Sequence, residues 1–223
     1  MMNEGLGRYL LEKLARQYEV TEEDIGKDAK MDKGPMHFRV KCYKVKDVGH
    51  VCLLSMKAMF GLMKMETVVL SSLEKDMPLL NLDTMLVARN KLQMAELYDT
   101  SLGYDDRAMQ EAMQKVKEAD GDIPDRDTKP HWYDELLYAC TYGKKTDAKE
   151  ERTEKSCRQY IDLFVEELAK APACDVKEKT EKVKAFAQGL IDHGGPAVDP
   201  VKKMFGKETA QRLVVCHMYG IQD

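Results

Sequence analysis

The chain of 223 residues contains no GxGxxG, no GxxxxGKS/T and no GxSxG. The usual marks of dinucleotide binding, phosphate-loop chemistry and serine-hydrolase chemistry are therefore missing. Six cysteines form no CxxC pair and five histidines no HxxxH, so no metal is expected. The opening "MMNEGLGRYLLEKLARQY" mixes charges with apolar residues and reads as neither a signal peptide nor a membrane span, so no membrane partner is expected. Scattered cysteines without a leader point to free thiols in a reducing, cytoplasmic setting. No block of one charge sign occurs: Lys plus Arg is 35 against 39 Asp plus Glu, a formal net charge of -4, and nucleic acid is not an expected partner.

What is present is a change of period along the chain. "LGRYLLEKLARQY" places Leu6, Leu10, Leu14 and Tyr18 four apart, the spacing of an amphipathic helix. "EVTEEDIGKDAKMDKGP" then reads as a polar connector. From His37 the apolar period becomes two in "HFRVKCYKV", "GHVCLLSMKAM", "GLMKMETVVLSSL", "PLLNLDTMLV" and "LQMAELYD", five strands with connections short enough for an antiparallel meander. After Asp99 helical spacing returns in "DDRAMQEAMQKVKEA". It continues through "HWYDELLYACTYG", "RTEKSCRQYIDLFVEELAKA", "VKEKTEKVKAFAQGLIDHGG" and "VKKMFGKETAQRLVVCHMYG". Helix, strands, then helices predicts one domain over residues 1–223, an α/β (α+β) three-layer α/β/α sandwich around a central antiparallel sheet.

Three strands carry an acid among apolar neighbours: Glu66, Asp83 and Glu96. Alternation puts Glu66 with Lys64 and Val68, and Met65 on the other side of the same strand. It puts Asp83 with Asn81 and Met85, and Glu96 with Met94 and Tyr98. Any one of these acids is most simply a solvated or lysine-paired side chain. Three on neighbouring strands suggest a pocket whose carboxyls, raised in pKa by burial, can donate protons near neutral pH. His193, before Gly194 in "LIDHGGP", has the look of a helix C-terminal cap.

"MPLLNLD" followed by a hairpin and "AELYD" resembles the ferredoxin-dependent bilin reductases, as does the closing "MFGKETAQRLVVCHMYG". The resemblance implies a linear tetrapyrrole held between the sheet and the C-terminal helices. It also implies electrons delivered singly by ferredoxin, with no flavin or metal bound, in an oxidoreductase acting on CH–CH groups. Asp83 falls on the family's catalytic Asp and Glu96 on its later acid. Glu66 stands where several members carry a proton-donating His. Asp192 is the nearest counterpart of an acid before the last helices, with Asp199 second; His193, Met65 and Asn81 complete the expected substrate contacts. The other reading is a tetrapyrrole- or small-molecule-binding protein without catalysis, since fold does not fix function.

Overall fold

The computed structural model describes residues 5–127, 129–195 and 198–222. Helix α1 (Leu6–Leu14) precedes β1 (Val20–Glu23), β2 (Lys30–Lys33) and the meander β3 (Met36–Val45), β4 (Gly49–Ala58), β5 (Met63–Ser71), β6 (Leu79–Val87) and β7 (Asn90–Tyr98). Helix α2 (Arg107–Ala119), β8 (Tyr142–Asp147), α3 (Arg152–Lys170), α4 (Val176–His193), α5 (Val198–Phe205) and α6 (Lys207–Gln211) follow, and α6 widens into a π-helical turn over Arg212–Met218. The strands form one antiparallel sheet in the order β1-β3-β4-β5-β6-β7-β8, with β2 paired to the other half of β3.

The five meander strands stand as the period-two pattern predicts. Three expectations are corrected. The connector after α1 contributes β1 and β2, because the outer edge of β3 offers unpaired backbone groups that two short polar segments satisfy. "HWYDELLYACTYG" does not form a helix: only a 3-10 turn forms at Asp134–Leu136, and Tyr142 opens β8, which pairs along the free edge of β7. The last predicted helix breaks at Gly206, whose φ of 88° leaves the helical region, and this separates α5 from α6.

Alternation sends the two faces of the sheet into two cores. Val51, Val68, Leu80 and Leu97 meet α1, α2 and α3 on one side. Val40, Leu54, Met65 and Leu79 meet α4, α5, α6 and the π turn on the other. The three layers are those expected. Asp175 caps α4 by accepting from the Glu178 N–H at 2.9 Å, which satisfies one of the donors a helix start leaves open.

Lys179 on α4 is fully buried. Its ammonium donates to the carbonyls of Met77 (2.5 Å) and Thr100 (2.6 Å), and so ties α4 to the start of β6 and the end of β7. Burial pulls its pKa down to about 8, with the Asp76 charge working against that shift. Between that value and the ordinary range near 10.4 the unfolded chain binds more protons, so this group's contribution to stability rises with pH there. Urea unfolding should show the wild type gaining about 2 kcal/mol from pH 8 to pH 10 relative to Lys179→Met. Parallel pH profiles for the two proteins would contradict the lowered pKa of Lys179.

Candidate functional site

Between the sheet and the α4–π layer lies a cavity of about 120 Å³. Strands β5, β6 and β7 form its floor, with Thr67 opposite Asp83 and Asn81 opposite Glu96 in the ladder. Met65, Met85 and Met94 floor its apolar part, and Phe186, Leu190 and Tyr219 roof it. Ordinary small-molecule sites occupy roughly 300–1,000 Å³. A large ligand therefore requires the helical layer to move outward.

Asn81 sits between the two carboxylates. Its Nδ2 donates to Asp83 Oδ2 at 2.7 Å and reaches Glu96 Oε2 at 3.4 Å. Asp83 also accepts from the Thr67 hydroxyl. Glu96 is buried, paired with the Arg126 guanidinium, and accepts from Tyr98 OH at 2.8 Å. Arg126 arrives from the segment after α2, whose backbone pairs with β8 through Arg126 N–H to Gly143 O (3.0 Å) and Lys145 N–H to Pro124 O (2.9 Å). Gly143 leaves room for it, since a Cβ there would stand 3.1 Å from Arg126 Nε.

The electrostatics separate the two acids. Arg126 grips Glu96, while Asp83 has only neutral donors in contact. Burial, reinforced by the Glu96 charge, raises Asp83 to about 6 against the opposing hydrogen bonds from Thr67 and Asn81. Asp83 is thus a carboxylic acid that holds and releases a proton near neutrality, the property a general acid needs. The surrounding phenols keep their protons: burial pushes Tyr133 up to about 12 and raises Tyr98 and Tyr219 well above their usual value. Phe186 links them, with its centroid 4.6 Å from Tyr98 on the floor and 5.6 Å from Tyr219 in the roof, so aromatic packing runs from the sheet to the helical layer.

Asp83, Glu96, Asn81 and Met65 come together in this cavity. Glu66 does not. It lies on the opposite face, where its register neighbour on β6 is Thr84 rather than Asp83. There it accepts from the Gly7 N–H in the first turn of α1, and burial raises its pKa. Gly5 and Gly7 permit this approach: a Cβ on Gly5 would strike the Glu66 carboxyl, and one on Gly7 would lie 2.6 Å from Leu53 Cδ2. Glu66 is a carboxylate at a helix N-terminus, where it meets open donors and a favourable dipole. Asp192 and His193 are likewise outside the cavity, exposed on the last turn of α4, where Asp192 accepts from Gln188 at 3.0 Å. Gly195 and Val198, a few residues on, line it instead.

Arg126, Tyr133 and Tyr219 carry no sequence signal that marks them as site residues. Tyr98 shares a face with Glu96 by simple alternation and could have been added on that ground.

No family model matches the chain, and no curated protein is similar to it in sequence. Among solved structures, phytochromobilin synthase from tomato, determined in complex with biliverdin, has the same fold. The TM-score is 0.78 at 8% identity, over 97% of this chain and 83% of that one. Among the described residues no helix is long and apolar enough to cross a membrane, and no group of His, Cys, Asp and Glu could hold a metal ion.

Two outcomes follow from these placements. Because the folded pKa of Asp83 lies above the ordinary value near 3.9, its stabilising contribution is complete at low pH and is lost as pH rises through about 6. Asp83→Asn should therefore gain stability over the wild type by about 1–2 kcal/mol more at pH 8 than at pH 5 in chemical denaturation; a pH-independent difference would contradict the raised pKa. Glu66→Ala should cost about 1–2 kcal/mol through loss of the cap, without changing ligand affinity.

Proposed function

We propose that this protein binds a linear tetrapyrrole in the cavity between the sheet and the α4–π layer and reduces it with electrons supplied singly by ferredoxin. The observation that carries this reading is Asp83, an acid with a pKa of about 6 at the floor of an apolar, aromatic-roofed cavity. The fold shared with a biliverdin-bound synthase and the sequence resemblance around "MPLLNLD" support it.

The chemistry asked of the chain is limited. Saturating one double bond takes two electrons, one from each of two reduced ferredoxins that become oxidised, and two protons. Asp83 gives a proton to the ligand radical formed by the first electron, is reprotonated from solvent, and gives the second proton once the second electron has arrived. Burial, with Glu96 beside it, sustains the affinity of Asp83 for a proton. Asn81 and Thr67 hold the Asp83 carboxyl in one orientation. The apolar lining excludes water from the radical.

A second reading is a bilin-binding protein without catalysis. It draws on the absence of histidine from the described cavity lining and on Glu66 facing the other way, which leaves no second proton donor at the position where the resemblance expects one.

An absorbance titration with biliverdin, followed by anaerobic addition of reduced ferredoxin, separates the readings. The proposal expects a saturable spectral shift and then turnover, with Asp83→Asn binding nearly as well as the wild type but turning over about 10²–10⁴-fold more slowly. Binding without reduction by any low-potential donor favours the second reading. Absence of binding contradicts both.

A further inference from the structure

Apart from Val176, the exposed large apolar side chains among the described residues all sit on two adjoining turns at one end of the sheet. The β4–β5 turn carries Met59 (56% exposed), Phe60 (99%) and Leu62 (62%), and Val87 (39%) ends β6 beside it. Ala88 N–H donates to Leu62 O at 2.9 Å, so the turns form one surface. Met59, Phe60 and Ala88 take φ values of 51°, 56° and 53°. Side chains with a Cβ rarely occupy that region, and such strain gathers at functional positions. Nothing within the described chain covers Phe60.

Three cations flank the two turns, with Asp147, opposite Asn90 in the β7–β8 ladder, at the same end of the sheet. Lys57 stands directly opposite Lys64 in the β4–β5 ladder, and Arg89 follows Ala88 in the neighbouring turn. None of the three has an ion-pair partner among the described residues. Like charges placed opposite each other on a sheet oppose its stability. An array of phosphates beneath the turns would reverse that cost.

We propose that this end of the sheet docks on an anionic lipid surface, with Phe60, Leu62 and Met59 entering the headgroup–acyl boundary and Lys57, Lys64 and Arg89 meeting lipid phosphates. The shape favours a membrane over a protein partner, because the apolar residues project from convex turns rather than line a groove. Apolar side chains inserted shallowly with cations at the phosphate level give surface attachment without a spanning helix. The turns are also continuous with the cavity. Val87 pairs with Met63, the next rung on that face pairs Met85 with Met65, and the one after pairs Asp83 with Thr67. A run of apolar side chains thus joins the lipid-facing end to the acid. The docking itself does not rest on the tetrapyrrole reading.

Vesicle co-sedimentation with the full chain tests it, comparing phosphatidylcholine alone with phosphatidylcholine containing phosphatidylglycerol, at low and at raised salt. The expected result is binding to the anionic vesicles that weakens with salt, falls about tenfold or more in Phe60→Ser, and falls about fivefold in each of Lys57→Ala and Arg89→Ala. These side chains are exposed, so the variants should retain the wild-type circular dichroism spectrum. No anionic-vesicle binding, or binding that Phe60→Ser leaves intact, overturns the proposal. A concentration-dependent dimer that Phe60→Ser abolishes, without vesicle binding, overturns it in favour of a second copy of the chain.

Discussion

Two carboxylates, Asp83 and Glu96, share one cavity with a single guanidinium among its described lining residues, that of Arg126, and that shortage of positive charge governs the site. Placing both charges in a poorly hydrated space is costly, and a proton kept on one of them lowers the cost. Arg126 and Tyr98 engage Glu96, so the proton falls to Asp83. Every neighbouring element serves this division. The β8 edge positions Arg126, the Asn81 amide bridges the acids, and the α4–π layer excludes the water that would otherwise solvate both charges.

The roof over these acids is held by an ionic contact far away in sequence. Arg212 and His217, at the two ends of the π turn, both reach Asp28 in the connector between β1 and β2, with Arg212 Nη2 at 2.9 Å and His217 Nε2 at 3.0 Å. The Arg212 guanidinium holds the Asp28 carboxyl down to about 2. This clamp fixes the segment that delivers Met218 and Tyr219 to the cavity. A π turn inserts an extra residue per turn and is often found at functional sites. Here it rotates the last apolar residues of the chain over the sheet.

The sequence pattern made the meander visible because five consecutive apolar segments of strand length follow one another across short turns, alternating with polar residues where one face is open and continuous where both faces are buried. It also made Asp83, Asn81 and Glu96 visible as a group. The place of Glu66 was not legible. A period of two says which residues of one strand share a face, but only the register between strands says which faces coincide, and a shift of one residue reverses the answer. The unusual "GLG" at the start of α1 was the local clue, since a glycine just before a helix and another in its first turn leave room for a close approach. The strand β8 was hidden for a different reason. "TYGKKTD" has no strong preference of its own and pairs because β7 presents a free edge. Arg126 was hidden because a loop arginine becomes a site residue only through the tertiary contact that brings it over Glu96.

The claim on which the functional account rests is that the fold holds the pKa of Asp83 up to about 6. Carboxyl ¹³C chemical shifts, with the Asp83 resonance assigned by its disappearance in Asp83→Asn, measure this directly in the unliganded protein. The account predicts a titration midpoint at about 6. A midpoint in the ordinary range, about 4, would contradict it.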